Sequence, residues 1–369
     1  MDPGWCQLFA GYHLKRALAL GRRRVLPKTG RSHYSANAHK NVESMTLGPI
    51  HLRDKVLRNI AVQGGAGAAW LAALPSLLHR LEAEWSIEVG RLFPNATEAF
   101  VSEAVTSDGQ QVALKIPVSG LPKAERQLRL LRIANGRGYV QLLRHDLKSG
   151  AMLLERLGLQ LAQLGLPIKE QIEIICQTLE HAWTPLPPGT RFPTGAEKAM
   201  EMSAYISTIW PKLGRPCSEK AIEVALRFAE QRRDAFDPAD SVLAHGDPHA
   251  WNTLLGLTPN EYKFVDPDGL FIERAHDLSI SMREWSAELL AGDPVALGLK
   301  RCALLSSLTG VPERAIWQRG LHRAAGEWPA LQGSRARGER SRVPGRRRGV
   351  GRSRNCLSAP KDFGDYRDV

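Results

Sequence analysis

The segment from residue 245 to residue 269 constrains this chain more than any other part of it. Asp247 closes a His-Gly-Asp tripeptide, Asn252 follows five residues later, and Asp266 comes fourteen residues after that, behind a β-favouring run. In phosphoryl transfer a carboxylate receives the proton of the attacking hydroxyl, and an Asn and an Asp hold Mg²⁺ on the nucleotide phosphates. The spacing therefore predicts a phosphoryl-transfer loop, with Asp247 as the catalytic base and with Asn252 and Asp266 as the metal ligands.

Each member of this set also has a plainer interpretation when it is taken alone. The His-Gly-Asp tripeptide is typical of ordinary turns as well. The two oxygen-bearing residues that follow at this spacing favour the catalytic interpretation. His245 is expected to brace the loop by hydrogen bonds, while His249 stays open between a structural and an acid–base role. Asp277 either reaches the site or braces a loop or helix end.

Lys115 is the second candidate, because it lies on a strand that follows a hairpin turn. Strands are predicted from Glu98 to Val105 and from Gln110 to Pro117. In the second strand Ala113 and Lys115 point to one face, and the apolar residues between them point to the other. A lysine in this context grips the α and β phosphates of a nucleotide in kinase-like lobes. A solvated strand lysine is the alternative.

Glu125 is the predicted ion-pair partner of Lys115. It lies early in a helix that starts at Pro122 and ends at Asn135-Gly136, beside the apolar stripe of that helix. A strand, a loop and one helical turn are enough to join the two residues. Glu103, Glu155 and Glu170 are alternative partners.

The remaining pattern predicts an α+β fold with a small antiparallel sheet followed by a mainly helical part. A helix is expected over 65–84, with Pro75 starting a new segment, and two further strands over 139–145 and 151–157. Strand, strand, helix, strand, strand is the order of a small sheet with one helix against it. After Gly158 the helical stretches are 169–182, 196–212, 218–235, 275–290, 294–308 and 312–322.

Two segments lack a strong motif, and their position in the chain alone suggests a part in nucleotide binding. The chain has no GxGxxG, and Gly90 to Ala96 stands before the first predicted strand, where a loop that covers phosphates belongs. A plain connector is the alternative. Residues 152–157 would form the hinge that offers backbone groups to adenine, or would be an ordinary buried strand.

The positive charge of the chain is concentrated at its two ends. The formal net charge is +12, but residues 1–40 hold eight Lys/Arg and one Asp, and residues 334–369 hold eleven Lys/Arg and four Asp/Glu, so the body is slightly acidic. Basic ends can bind nucleic acid, but no aromatic–basic interleaving or recognition helix supports specific binding. We expect disordered or extraneous tails over 1–44 and 323–369.

Cysteine use and hydropathy indicate a cytoplasmic location. The five cysteines lie far apart with no CxxC, which favours free thiols over disulfides or a zinc site. The longest uncharged stretch, Asn59 to His79, contains glycines and Pro75 and is a poor membrane span. The oligomeric state stays open.

The composition changes after about Trp317, where apolar periodicity is expected to end and Gly, Arg and Ser to dominate. We hypothesise a frameshift or a gene-model artefact just after Gln318. An alternative reading frame with an apolar helical pattern would support this hypothesis.

Four segments together resemble the aminoglycoside phosphotransferases, specifically their streptomycin 6-kinase or hydroxyurea-resistance kinase branch. They are 112–116, 151–157, 245–252 and 264–267. Weaker likeness extends over roughly residues 45–317. Trp251 departs from the family pattern, which commonly has a small residue before the Asn.

The resemblance implies a bilobal protein-kinase-like fold, ATP and Mg²⁺, and transfer of the γ-phosphoryl group to a hydroxyl of an aminocyclitol antibiotic. It assigns 45–157 to a nucleotide-binding N-lobe and 158–322 to a helical C-lobe with the catalytic and metal loops. By position, Asp247 is the base, Asn252 and Asp266 are the metal ligands, and Lys115 is the phosphate lysine.

The acceptor is expected to be a small molecule, and a cationic aminoglycoside such as streptomycin leads the candidates. Glu284, Glu288 and Asp293 would form an acidic surface for it, or else a solvated helix face. A kinase of another hydroxylated metabolite, of sugar, choline or homoserine type, is the alternative, as is a catalytically impaired relative.

Overall fold

The computed structural model describes residues 52, 54–93, 99–118, 122–215 and 217–325. These residues form two compact units. One contains the described residues up to Ala124 together with Leu142–Arg156, and the other contains Glu125–Gln141 and the described residues from Leu157 onward. The predicted tails therefore fall almost wholly outside the described residues.

The first unit is an antiparallel sheet covered by two helices. The helices are α1 (Asp54–Val62) and α2 (Gly64–Trp85). The strands are β1 (Ile87–Leu92), β2 (Ala99–Thr106), β3 (Gln111–Pro117), β4 (Leu142–Asp146) and β5 (Ala151–Glu155). Their order in the sheet is β1-β2-β3-β5-β4, and every pair is antiparallel.

Alternation along β3 builds the core of this unit. Val112, Leu114 and Ile116 are fully buried and pack with α2, as the period of two predicts. The indole of Trp70 in α2 donates a hydrogen bond of 2.9 Å to the carbonyl of Pro117, which joins the helix to the end of the strand. The opposite face of β3 therefore carries Ala113 and Lys115.

Two local features of this unit differ from the sequence expectation. Gly90 lies inside β1 rather than in a connector, because a β-bulge between Val89 and Leu92 accommodates the irregular segment. Residues 94–98, the rest of that segment and its neighbours, lie outside the described residues. Pro75 lies on the exposed side of the continuous helix α2 and does not start a new segment.

The second unit is mainly helical, with two short two-stranded antiparallel ladders. Its helices are α3 (Pro122–Ala134, from Glu125 onward), α4 (Ile168–Ala182), α5 (Gly195–Lys212), α6 (Glu219–Asp234), α7 (Ala275–Arg283), α8 (Ser286–Leu289), α9 (Pro294–Thr309) and α10, over 313–325. Its strands are β6 (Ser241–Ala244), β7 (Thr253–Leu255), β8 (Tyr262–Phe264) and β9 (Leu270–Glu273); β6 pairs with β9, and β7 pairs with β8.

The observed architecture is the predicted α+β, kinase-like one, with a small antiparallel sheet in one unit and helices in the other. The helices from α4 onward begin and end within a few residues of the predicted bounds. The stretch 275–290 is the exception. It divides into α7 and α8 because Trp285 adopts a left-handed conformation, with φ of 52°.

The last helix corrects the expected end of the fold. Helix α10 continues past Trp317 and Gln318, where apolar periodicity was expected to stop. Leu321, Ala324 and Ala325 are buried, so small and apolar residues still cover the core in this stretch. Residues 326–369 lie outside the described residues, and the frameshift there stays a hypothesis.

Two composition-based expectations can be compared with the described residues. Cys176, Cys217 and Cys302 are buried free thiols. Within the ranges given above, every helix is too short or too polar to cross a membrane.

Candidate active site

The structure places four of the five predicted site residues in the second unit. Asp247 and Asn252 lie on the loop between β6 and β7, which we call the catalytic loop (245–252), and Asp266 follows β8. Glu125 lies in the first turn of α3. Lys115 lies on β3 of the first unit and is buried.

His245 holds the start of the catalytic loop against the segment that carries Asp266. Its Nδ1 accepts a hydrogen bond of 3.1 Å from the backbone N–H of Asp247, so Nε2 carries the proton and donates to the carbonyl of Val265 at 2.9 Å. The ring packs between Tyr139 and Phe264. Burial lowers the pKa of His245, which favours this neutral form. The expected bracing role of His245 is confirmed.

Asp277 fixes the backbone of the same loop from below. Its two carboxylate oxygens accept hydrogen bonds from the N–H groups of His245 at 3.0 Å and Gly246 at 2.7 Å, and the indole of Trp183 donates a third at 3.0 Å. Burial raises the pKa of Asp277, while these donors act in the opposite direction. Of the two roles left open for Asp277, the structure shows loop bracing.

Asp247 is held in its ionised form by two neighbouring side chains. Burial alone raises its pKa, but His249 and Arg323 lower it, and the net pKa lies well below the usual value. Nε2 of His249 is 3.4 Å from one carboxylate oxygen, and the guanidinium of Arg323 is 3.8 Å from the other. The side chain retains 38% of its exposure, so a hydroxyl can reach it. A carboxylate that stays ionised can accept a hydrogen bond from an attacking hydroxyl and so orient it.

Backbone and side-chain hydrogen bonds bring Asn252 to both aspartates. Its Nδ2 donates to the carbonyl of Asp247 at 3.1 Å, which leaves Oδ1 as the atom for a metal ion. Its carbonyl accepts from the N–H of Val265 at 2.9 Å, directly before Asp266. Hydrogen bonds therefore connect Asp247, Asn252 and Val265, the residue directly before Asp266.

Helix α3 supports the metal-ligand candidate with a residue that the motif analysis missed. Nε2 of Gln127 donates to Oδ1 of Asp266 at 3.2 Å, and Arg126 donates to the carbonyl of Asp268 at 3.2 Å. Gln127 is buried beside Leu128, within the apolar stripe of the helix. A polar residue on a buried helix face is the sequence signal that points to it.

The donor set fits a magnesium ion that is held partly by a nucleotide. Asp266 is exposed. Its φ of 61° is left-handed, so the chain leaves the extended conformation of the β7–β8 ladder at this residue. An amide oxygen and a carboxylate are hard ligands, and Mg²⁺ commonly binds one or two protein oxygens together with substrate phosphates and water. Among the described residues no group of three or more His, Cys, Asp or Glu could hold a metal alone.

Lys115 belongs to the first unit and Glu125 to the second, and each has contacts within its own unit. Lys115 pairs in register with Val101 and Met152 and is 8% exposed. Glu125 has a side chain that is 72% exposed and forms an ion pair of 2.5 Å with Arg129, four residues along α3. The ion pair between Lys115 and Glu125 stays a prediction.

Arg323 is the second residue that sequence reasoning missed. From α10 its guanidinium donates to the carbonyl of Gly246 at 2.6 Å and lies 2.9 Å from Nε2 of His276. The expected limit of the folded body at residue 322 excluded it. The sequence signal that could have identified Arg323 is a basic residue among the buried alanines and leucine of this helix.

The expected acidic surface for a cationic acceptor is not formed as proposed. Glu284 is 1% exposed, so it is neither a substrate surface nor a solvated face. Glu288 is engaged by Arg301 at 2.6 Å. Asp293 caps α9 by accepting hydrogen bonds from the first helical N–H groups.

Comparison with known proteins agrees with this geometry. The profile of a family described as "Aminoglycoside/hydroxyurea antibiotic resistance kinase" matches residues 85–325, well over half of the chain. The match defines a kinase-like phosphotransferase that transfers phosphate to an alcohol group. The chain belongs to the aminoglycoside/hydroxyurea antibiotic resistance kinase family.

Two curated relatives and one solved structure illustrate the similarity. A streptomycin 6-kinase of Streptomyces glaucescens is 26% identical over 279 residues, 74% of this chain and 88% of that protein. A hydroxyurea phosphotransferase of Kitasatospora aureofaciens is 26% identical over 269 residues, 69% of this chain and 76% of that protein. A type I macrolide 2′-phosphotransferase structure is 14% identical with a TM-score of 0.46, covering 72% of this chain and 91% of that chain.

Proposed function

We propose that this kinase transfers the γ-phosphoryl group of ATP, with Mg²⁺, to a hydroxyl group of an aminoglycoside, with streptomycin as the leading acceptor. The reaction inactivates the antibiotic and thereby gives resistance. We place it in the cytoplasm, where ATP is available and the free thiols stay reduced.

Each predicted residue has a defined part in this proposal. Asp247 receives the proton of the attacking hydroxyl as the acceptor oxygen forms its bond to the γ-phosphorus. The bond between the γ-phosphorus and the β–γ bridging oxygen of ATP breaks in the same transfer, and ADP leaves. Asn252 and Asp266 would hold the magnesium ion, which neutralises charge on the phosphates when it is bound. Lys115 would bind the α and β phosphates, with Glu125 proposed as its partner.

The observation that carries the proposal is the hydrogen-bonded assembly of Asp247, Asn252 and the Asp266 segment. An ordinary turn has no need of a buried Asp277, a neutral His245 and a buried Gln127 to fix its backbone and carboxylates. Phosphoryl transfer depends on positioning and electrostatics, and this support supplies both. The intact assembly also argues against the catalytically impaired alternative.

Hydroxyurea is a second candidate acceptor, and the relative named hydroxyurea phosphotransferase is the observation that favours it. Its identity to this chain equals that of the streptomycin 6-kinase of Streptomyces glaucescens. The two acceptors differ in size and charge, so one assay with both separates the candidates.

The test is product analysis by mass spectrometry after incubation of the full chain with ATP, Mg²⁺ and either streptomycin or hydroxyurea. The proposal predicts phosphorylated streptomycin and equivalent ADP. Lys115→Met should raise the KM for ATP, whereas Lys148→Met, a matched change at an exposed lysine of the same unit, should not.

The possible results separate the competing functions. Phosphorylated hydroxyurea without phosphorylated streptomycin would move the assignment to the second acceptor. ATP binding without transfer to either compound would contradict both acceptors and leave a kinase of another metabolite. Equal KM values for ATP in the two lysine variants would contradict the role of Lys115.

A further inference from the structure

Helix α3 presents a neutral amide to residues 266–269, which we call the metal segment. Gln127 is 4% exposed, whereas the side chain of Glu125 is 72% exposed. Two residues are about 200° apart around an α-helix, so these two side chains leave α3 on nearly opposite faces. Glu125 pairs with Arg129 at the surface, and its carboxylate therefore lies away from the face that carries Gln127.

Gln127 acts on Asp266 as a hydrogen-bond donor. The contact of 3.2 Å joins Nε2 of the amide to Oδ1 of the carboxylate, and an ionised carboxylate only accepts hydrogen bonds. Asp266 is exposed, so packing alone does not select one rotamer of its side chain. The hydrogen bond from a buried side chain therefore restrains the orientation of this carboxylate.

Helix α3 also fixes the backbone of the metal segment. The guanidinium of Arg126 donates to the carbonyl of Asp268 at 3.2 Å. Gly269 has φ of 69°, and an added Cβ would lie 3.3 Å from the carbonyl oxygen of Arg126. The helix and the segment thus approach as closely as a glycine allows, which holds Gln127 and Asp266 at a defined separation.

A restrained carboxylate suits one kind of metal ion better than another. Mg²⁺ requires nearly octahedral coordination at about 2.0–2.1 Å, whereas Ca²⁺ accepts a flexible shell at about 2.3–2.6 Å and takes one or both oxygens of a carboxylate. Oδ1 of Asp266 already accepts a hydrogen bond from Gln127, so this carboxylate is suited to offering a metal ion one oxygen rather than two.

We infer that Gln127 is a positioning residue that makes the metal site selective for Mg²⁺ over Ca²⁺ by restraining the carboxylate of Asp266. The inference rests on the proposed function, because it takes Asp266 as a metal ligand. It goes further by assigning the choice of metal to a residue that acts through that ligand. Replacement of such a supporting residue commonly changes metal affinity by about 10–100-fold.

The test measures how strongly each metal ion promotes binding of β,γ-methylene ATP, a non-hydrolysable analogue, to the full chain. Calorimetry gives the Kd of the analogue in excess Mg²⁺, in excess Ca²⁺ and in EDTA, and the Kd in EDTA divided by the Kd in metal is the metal ratio. Gln127→Met keeps the length of the side chain and removes the donor. We expect the Mg²⁺ ratio to fall by about tenfold or more, the Ca²⁺ ratio to fall by a smaller factor, and the Kd in EDTA to stay unchanged.

Gln171→Met is the matched control. Gln171 is a buried glutamine of the same unit, and its Nε2 donates to the carbonyl of Leu166 at 2.7 Å. Both changes remove one amide hydrogen bond, but Gln171→Met should leave both metal ratios unaltered. Equal effects of the two changes, or equal losses of the Mg²⁺ and Ca²⁺ ratios in Gln127→Met, would overturn the inference, because a general loss of packing acts on both ions alike.

A double-mutant comparison tests whether Gln127 acts through Asp266. Asp266→Asn alone should remove most of the Mg²⁺ ratio, and Gln127→Met added to it should lower that ratio no further. Independent losses, which multiply in the ratio, would contradict a role that depends on the Asp266 carboxylate.

A readout on the unchanged chain does not depend on the folding of any variant. The side-chain amide resonances of Gln127 should shift when Mg²⁺ is added to the chain with the analogue, and those of Gln171 should not. An unmoved Gln127 amide would overturn the inference.

Failure of this inference can be distinguished from failure of the proposed function. If Asp266→Asn removes the Mg²⁺ ratio and Gln127→Met keeps it, Asp266 remains a metal ligand and the inference alone fails. If the analogue binds the unchanged chain equally in Mg²⁺ and in EDTA, the metal role of Asp266 in the proposed function fails, and the inference fails with it.

Discussion

The guanidinium of Arg323 donates a hydrogen bond of 2.6 Å to the carbonyl of Gly246, the residue that precedes Asp247. The same group lies 3.8 Å from the Asp247 carboxylate. The last described helix therefore contributes directly to the position and the charge of the proposed base. This contact gives α10 a role in the site in addition to its packing.

Loss of the Arg323 charge should shift the pH dependence of transfer. Because Arg323 lowers the pKa of Asp247, Arg323→Met should raise that pKa. The acidic limb of the kcat/KM profile then moves to higher pH. Arg323→Lys keeps the charge and should shift the limb less. Identical acidic limbs in the unchanged chain and the Met variant would contradict the electrostatic role.

Gly246 should be far less tolerant of a side chain than another glycine of the same unit. It has φ of 91°, and an added Cβ would lie 2.7 Å from Cβ of Asp268. Gly246→Ala should lower the free energy of unfolding by at least about 2 kcal/mol. Gly165→Ala is the control, because Gly165 has φ of 70° with open space around its Cβ position and should cost about 1 kcal/mol. Equal costs in urea unfolding would contradict the close approach.

Sequence periodicity predicted most elements because the local pattern and the burial agree. In β3, Leu114 faces the core and Lys115 faces the other way, as the period of two requires. Strand β1 was missed because Gly90 interrupts its pattern and a bulge compensates for the irregularity. The division of the helix at Trp285 arises from a backbone conformation that composition does not encode.

Asp266 should determine the requirement for metal. Asp266→Asn removes a charged ligand, so the Mg²⁺ concentration for half-maximal transfer should rise by about tenfold or more. Asp240→Asn changes an exposed aspartate before β6 and should leave the Mg²⁺ concentration for half-maximal transfer unchanged. The measurement is initial velocity against Mg²⁺ at fixed ATP. A magnesium requirement that is the same in both variants would exclude Asp266 as a ligand.

His322 should make the fold sensitive to acid. Its pKa is lowered from 6.5 to about 3 by burial and by nearby cations, so the unfolded chain binds a proton that the folded chain rejects. The neutral His322 therefore contributes its full share of the free energy of unfolding above pH 6.5. This contribution is lost as the pH falls towards 3, by up to about 1.4 kcal/mol per pH unit. His322→Gln should flatten this slope in urea unfolding at several pH values, and His181→Gln should not. A slope that His322→Gln leaves unaltered would show that His322 does not titrate in this way.

The site was predictable where its chemistry lies in one short segment, and less so where distant elements contribute. Asp247, Asn252 and Asp266 were proposed from spacing alone. In the structure hydrogen bonds join Asp247 to Asn252, and Asn252 to Val265, the residue before Asp266. Gln127 and Arg323 come from helices on either side of the motif, and neither has a fixed spacing to it. Tertiary packing places Gln127 and Arg323 beside the motif, and a pattern in a single sequence does not reveal that packing.

The most direct test of the proposed mechanism is the rate of phosphate transfer from ATP in the Asp247→Asn variant. The amide has the shape of the carboxylate but accepts no proton, so the rate should fall by about 10²–10⁴-fold while ATP binding stays unchanged. Transfer at nearly the unchanged rate would contradict the assignment of Asp247 as the base and, with it, the function proposed for the catalytic loop.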